Sequence, residues 1–156
     1  RIDGFCIGGG LGVAMCCDLR IADTGSRFAI PAAKLGLGYR LEGLKHLIDV
    51  VGPSAAMEIL FTGRQFDADE ALAMGLVDRL MEASSIAAET EAYVQSICEL
   101  SRFTTRATKR IIQMVLDGAS QDSDESRKLF IDAFNGDDFK EGRAAFLEKR
   151  KPNFSG

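Results

Sequence analysis

The sequence lacks any apolar run approaching the about 18 residues that a membrane-spanning helix needs. It lacks a charged opening segment followed by an apolar stretch, so no secretion signal is read at its start. Positive charge is not in excess: 19 Lys and Arg face 23 Asp and Glu, a net charge of −4. A general nucleic-acid binder would carry the opposite balance, and that class is set aside. Histidine occurs once, at His46, and the four cysteines (Cys6, Cys16, Cys17, Cys98) form no CxxC pair. A zinc site is therefore not expected. Cys16 and Cys17 stand among Ala, Met and Val, which reads as buried thiols in a reducing compartment. The expectation is a soluble, cytoplasmic protein with no metal.

What is present fits a folded domain. The 156 residues are 46% hydrophobic and 27% charged, close to globular averages. Glycine is uneven: 9 of the 16 fall within the first 43 residues. Residues 1–7 read as a short buried strand that begins at once. Gly8-Gly9-Gly10 follows, then an apolar helical run from Leu11 to Cys17. That order, strand then glycine turn then helix, belongs to an α/β unit.

Leu19–Ala22 and Arg27–Ile30 read as two more strands around a Gly25-Ser26 turn, and Pro31–Gly38 as irregular. Apolar residues at 41, 44, 47, 48 and 51 give a helix, ended by Gly52. Pro53 starts the next helix, which stops at Gly63. Asp67 is placed to cap a third, with Glu70 completing a capping box. Residues 76–80 read as a strand, and 84–100, 102–117, 123–134 and 138–150 as helices. The chain divides into an α/β part, 1–82, and a helical part, 83–156.

The segment Cys6-Ile7-Gly8-Gly9-Gly10-Leu11-Gly12 carries the chemistry. Without Cβ atoms, these glycines let another group approach the backbone closely. Amide groups at a helix start have no intrahelical partner and suit a phosphate or a developing oxyanion. A phosphate loop would continue with Lys and Ser or Thr, and this one does not. A plain tight joint between strand and helix is the competing reading of the triplet alone.

Further along come Cys17-Asp18-Leu19-Arg20-Ile21-Ala22, Arg27-Phe28, Leu35-Gly36-Leu37-Gly38, Leu60-Phe61-Thr62-Gly63-Arg64, Ala71-Leu72-Ala73-Met74-Gly75-Leu76-Val77 and Phe146-Leu147-Glu148-Lys149-Arg150-Lys151-Pro152. In this order, over nearly the whole chain, they resemble the crotonase (enoyl-CoA hydratase/isomerase) superfamily. The resemblance implies a ClpP/crotonase-like spiral of ββα units, here its C-terminal portion, followed by a helical trimerisation region. It implies a homotrimer or a hexamer of paired trimers, and an acyl-CoA substrate whose coenzyme A is no separate cofactor. The family domain would place about a hundred residues before Arg1, within ordinary domain sizes.

The resemblance also implies roles. Gly9 would donate its N–H to a thioester enolate, between Gly8 and Gly10, with a second donor from an earlier segment. Phe146 and Lys149, on a final helix beside a neighbouring subunit's site, would contact the adenine and phosphates of CoA; a solvated basic run over 149–151 is the competing reading. Two-glutamate hydratases carry one glutamate two residues after the triplet and another just after the Phe-x-x-Pro strand. Here those positions are Gly12 and Ala32. Neither can act as the acid or base that hydration needs.

Decarboxylation of a malonyl-type thioester yields an enolate without proton abstraction. The Tyr39-Arg40-Leu41-Glu42-Gly43 segment is similar to the methylmalonyl-CoA decarboxylase branch. Tyr39 would orient a carboxylate or supply a proton, and Arg40 would supply charge. A packed Tyr39, a solvated Arg40 and a Glu42 that merely favours the helix dipole are the plainer readings. His46 is read as structural. The expected function is that of a lyase of decarboxylase type. An enoyl-CoA hydratase and a non-catalytic acyl-CoA binder stand as alternatives, and RNA binding is disfavoured by charge.

Overall fold

The computed structural model describes residues 1–154. They fall into two compact units, residues 1–91 and the remainder from Ala92. The first unit contains β1 (Phe5–Ile7), α1 (Gly9–Met15), β2 (Ile21–Asp23) and β3 (Arg27–Ala29). A 3₁₀ turn, Pro31–Leu35, leads to α2 (Leu41–Thr62), β4 (Phe66–Asp67), α3 (Ala68–Ala73) and β5 (Arg79–Met81). Helix α4 (Ile86–Cys98) starts in this unit and runs into the next.

Two small sheets organise the first unit. β1 runs parallel to β3 with Cys6 opposite Phe28, and β3 runs antiparallel to β4 with Phe28 opposite Phe66. β2 runs parallel to β5 with Ala22 opposite Leu80. The Phe28 and Phe66 rings stack at 5.8 Å between centroids. Phe28, Leu11, Leu47, Ile59, Leu76 and Val77 are fully buried. Burying each such side chain contributes about 1.5–3 kcal/mol.

The expected strand over 1–7 is broken by Gly4, whose φ is +80°. The Gly4 N–H donates to the Asp23 carboxylate at 3.1 Å. This left-handed step, open to glycine, divides the segment between two partners. Ile2 bridges to Ala22, whereas Phe5–Ile7 joins β3.

The helix starting at Leu41 continues through a kink at Gly52 (φ 75°, ψ 168°) into the segment that Pro53 begins. Asp67 caps α3 by accepting the Glu70 N–H at 2.9 Å. The Glu70 carboxylate takes a bidentate pair from Arg64 at 2.8 and 3.0 Å, with the Asp67 N–H a weaker partner, and Arg64 also reaches Glu58 at 2.7 Å. The Arg64 guanidinium lies 5.9 Å from the Phe66 ring centroid, a favourable cation–π arrangement.

The second unit is helical: α5 (Arg102–Leu116), α6 (Asp124–Asn135) and α7 (Asp137–Glu148). Ser101 caps α5 through the Thr104 N–H, and its hydroxyl donates to Asp138 at 2.6 Å. Ser123 and Ser126 form a capping box on α6. Among the described residues no helix is long and apolar enough to cross a membrane.

One polar side chain is deeply built in. Arg20, nearly buried, donates Nε to the Leu76 carbonyl at 2.8 Å and Nη1 to the Cys17 carbonyl at 2.6 Å. A third nitrogen faces Asp78 at 3.6 Å. The fork joins the segment before β2 to the one before β5. A lysine keeps the charge but not the planar fork, and a buried carbonyl left unpaired costs about 1–3 kcal/mol. Arg20→Lys is therefore expected to lower stability by about 1–3 kcal/mol, measured as a lower urea midpoint with unchanged slope.

Candidate active site

The joint between β1 and α1 forms the centre of the site. Gly8 has φ 57° and ψ −117°, a conformation that a residue with a Cβ rarely adopts. Its N–H donates to the Ala29 carbonyl at 2.8 Å, and its carbonyl accepts the Gly12 N–H at 3.0 Å. The turn thus hangs from β3 at one side and starts the helix at the other.

Helix α1 buries Leu11 and Met15. Gly9, Gly10, Gly12 and Val13 lie on its exposed side. No side chain caps this helix. Gly9 and Gly10 occupy its first turn, where amides have no intrahelical acceptor. Among the described residues no other group accepts from them. A Cβ built at Gly9, Gly10 or Gly12 meets no atom within 4 Å. The site is thus a bare wall of backbone with two free donors.

Cys16 and Cys17 correct the sequence reading. Both are exposed, and their thiols donate weakly to the Gly12 and Val13 carbonyls at 3.5 and 3.8 Å. The buried stripe of α1 passes through residues 11 and 15, and both cysteines follow beyond its end. Cys6 is the buried thiol, on β1, and burial pushes its pKa up.

Tyr39 is half-buried and packs against the same hydrophobic cluster that holds Leu11 and Met15. Its ring lies against Gly43, where a Cβ would stand 3.5 Å from Cδ1. Among the described residues nothing hydrogen-bonds its hydroxyl, so the phenol has a packed ring and a free tip. Arg40 is exposed and faces the equally exposed Glu42 at 3.8 Å. Glu42 occupies the first turn of α2, where its charge favours the helix dipole. His46 is exposed. Ala32 is buried in the 3₁₀ turn and offers no polar group. Neither position 12 nor position 32 presents a carboxylate.

Phe146 and Lys149 belong to the helical unit. Phe146 is 82% exposed. Lys149 ends α7 in the left-handed conformation, φ 54°, with its N–H donating to the Phe146 carbonyl at 3.3 Å. Phe146 borders an open groove of about 610 Å³ with Phe130, Phe134, Phe139 and Phe154. Phe134 stacks on Phe139 at 4.7 Å and on Phe130 at 6.4 Å. Only Phe146 of this groove was expected from the sequence. The four-residue step from Phe130 to Phe134 was the available signal. A clamp closes the end of the unit: Glu141 accepts from Arg150 at 2.9 Å and from the Asn153 N–H at 2.7 Å.

The profile of the enoyl-CoA hydratase/isomerase family matches residues 1–156. The chain belongs to the enoyl-CoA hydratase/isomerase family. It is similar to a protein named as a probable enoyl-CoA hydratase of Mycobacterium leprae. The two are 37% identical over 99% of this chain and 60% of the relative. It is similar to a crotonyl-CoA hydratase of Syntrophomonas wolfei, at 35% identity over 98% of this chain and 59% of the relative.

A crystal structure from Hyphomonas neptunium, assigned to the enoyl-CoA hydratase/isomerase family, superposes with a TM-score of 0.92. It is 41% identical and covers 97% of this chain and 58% of its own. The α/β crotonase fold with its helices is thereby shown. The chain spans about 60% of the length of the curated relatives it matches. These relatives carry hydratase names, and nothing in them points to the decarboxylase-like branch.

Two outcomes follow from the geometry. Gly8→Ala places a Cβ at a positive φ, a strain of about 1–3 kcal/mol. It should lower the urea midpoint and shift the Gly9 amide resonance. Glu141 is held down from 4.5 to about 2, first by the Arg150 hydrogen bonds and then by the Asn153 N–H. A carboxylate depressed in the fold adds stability above its unfolded value, lost as pH falls through its folded value. Wild type and Glu141→Gln should therefore differ in unfolding midpoint above pH 4.5 and converge toward about pH 2.

Proposed function

We propose that the chain belongs to a CoA-thioester enzyme that stabilises a thioester enolate at Gly9 and forms it by loss of carbon dioxide. The observation that supports this reading is the absence of a carboxylate at positions 12 and 32, where a two-glutamate hydratase carries its acid and base. Gly12 is bare backbone and Ala32 is a buried methyl.

The Gly9 N–H donates to the thioester oxygen as negative charge gathers there. Such a preorganised donor is worth most where water is excluded. The bond between the α-carbon and the substrate carboxylate breaks, and its electron pair enters the enolate. A proton then returns to the α-carbon, from the Tyr39 hydroxyl or from water. Arg40 supplies positive charge near the departing carboxylate. Phe146 and Lys149 contact the adenine and phosphates of CoA at a neighbouring subunit's site; the CoA is part of the substrate, so no separate cofactor is required. An earlier segment of the whole protein supplies a second donor.

The apolar groove and the exposed face of the helical unit suit assembly into a homotrimer or hexamer. A cytoplasmic location, with no membrane or nucleic-acid partner, fits the composition. A hydratase is the second reading, favoured by the names of the relatives. A non-catalytic acyl-CoA binder is the third, and it fits the missing carboxylates equally well.

The test offers methylmalonyl-CoA and crotonyl-CoA to the complete protein. The expected result is release of carbon dioxide from the first. Crotonyl-CoA hydration should run about 10²-fold or more below a two-glutamate hydratase, the usual worth of general acid–base catalysis. Tyr39→Phe should reduce the decarboxylation. Normal hydration of crotonyl-CoA would move the assignment to the second reading, and binding without turnover to the third.

A further inference from the structure

Among the described residues Lys149 alone, glycines apart, has a positive φ, 54°. It ends α7 at a place where glycine is the usual occupant. Its N–H returns to the Phe146 carbonyl at 3.3 Å and that of Arg150 to the Ala145 carbonyl at 3.0 Å. A residue with a Cβ is strained in this conformation. The helix ending by itself would favour glycine, so it does not account for a lysine.

Glu141 holds the chain that follows. It stands two turns back on α7 and is half-buried. It accepts a bidentate pair from Arg150 at 2.5 and 2.9 Å and the Asn153 N–H at 2.7 Å. Phe154 then lies against Gly142, where a Cβ would stand 3.7 Å from its ring. A planar fork on a carboxylate fixes direction as well as distance. Residues 150–154 are thereby tied to α7, and the left-handed step at Lys149 is what lets them reach it.

The same pairs decide what Lys149 does not do. Glu148, its neighbour in sequence, accepts from Arg150 at 2.6 Å. Both nearby carboxylates are thus committed to the arginine. Among the described residues none pairs with Lys149, which is exposed. Its ammonium is left for an anion from outside.

We infer that Glu141 is a positioning residue, which fixes the strained turn at Lys149 and, through Arg150, keeps that ammonium free for a phosphate of the substrate's CoA. This rests on the reading of Lys149 as a CoA contact, but not on Gly9 or on which reaction follows.

The test measures binding to the complete protein, folded by circular dichroism. Butyryl-CoA and S-butyrylpantetheine share the thioester, and only the first carries adenine and phosphates. Lys149→Gln should weaken butyryl-CoA relative to butyrylpantetheine by about tenfold, the usual worth of one charge-assisted contact. Glu141→Gln should shift the same ratio in the same direction. The double variant should lose no more than Lys149→Gln alone, because the two residues act through one contact. Should Glu141→Gln not fold, Arg150→Lys keeps the charge without the fork and should shift the ratio likewise.

A ratio shifted by Lys149→Gln but unmoved by Glu141→Gln would overturn the inference and leave the CoA contact standing. Fully additive losses would overturn it too, since Glu141 would then act elsewhere. A ratio that Lys149→Gln leaves unmoved would overturn the CoA contact and this inference together.

Discussion

The site depends on one backbone conformation, that of Gly8. The chain leaves β1 in register with β3 and must turn at once into α1 so that Leu11 and Met15 reach the core. A φ of 57° with ψ −117° makes that turn, and the Gly8 N–H bond to Ala29 fixes it to the neighbouring strand. Burial of Leu11 and Met15 then sets the rotation of the helix. Once that rotation is set, Gly9, Gly10 and Gly12 have to face outward. The amides of Gly9 and Gly10 are free because the helix starts there; core packing decides only that these glycines lie on its exposed side.

Much of this was legible in the residues because glycine and proline act locally. Gly8-Gly9-Gly10, Gly52-Pro53 and Gly63 each mark a boundary that the backbone observes. What escaped were features decided by competition between distant groups. Asp67 caps its helix as expected, yet Glu70 gives its carboxylate to Arg64, and six residues of separation hide that choice from any local pattern. Gly4 carries a turn because the Asp23 carboxylate accepts its N–H from across nineteen positions. Cys16 and Cys17 have apolar neighbours in sequence, but they follow the exposed positions Gly12 and Val13 and lie off the buried stripe through residues 11 and 15. Residue type suggested burial, and position around the helix decided against it.

The helical unit poses a different balance. Its ion pairs, such as Arg110 with Glu125 and Lys128 with Asp132, are exposed. Pairs of that kind contribute little, because water and salt screen them and long side chains lose freedom. Meanwhile Phe130, Phe134 and Phe146 keep 58–82% of their surface open. Stacking among Phe130, Phe134 and Phe139 recovers part of that apolar area. The sequence could not separate a core phenylalanine from a surface one here, because amphipathic spacing shows that a face is apolar without showing what lies against it.

Chemical consequences of the bare wall follow from charge. Two unit charges 4 Å apart interact by about 4 kcal/mol at the effective dielectric of a partly exposed site. A glutamate at position 12 would overlie the Gly9 amide, so it would oppose a substrate carboxylate held there by that amount. It would oppose the enolate oxygen as well. Hydration accepts this repulsion because water must be activated by a base. Carbon–carbon cleavage has no such need: the carboxylate leaves as neutral carbon dioxide, and its negative charge passes with the bonding electron pair to the enolate oxygen. A helix face without a carboxylate would therefore favour an anionic substrate for the same reason that it lacks the acid and base of a two-glutamate hydratase. In the proposed decarboxylation the proton is required only after the charge has moved, so a half-buried phenol in the position of Tyr39 would need no partner held ionised beforehand.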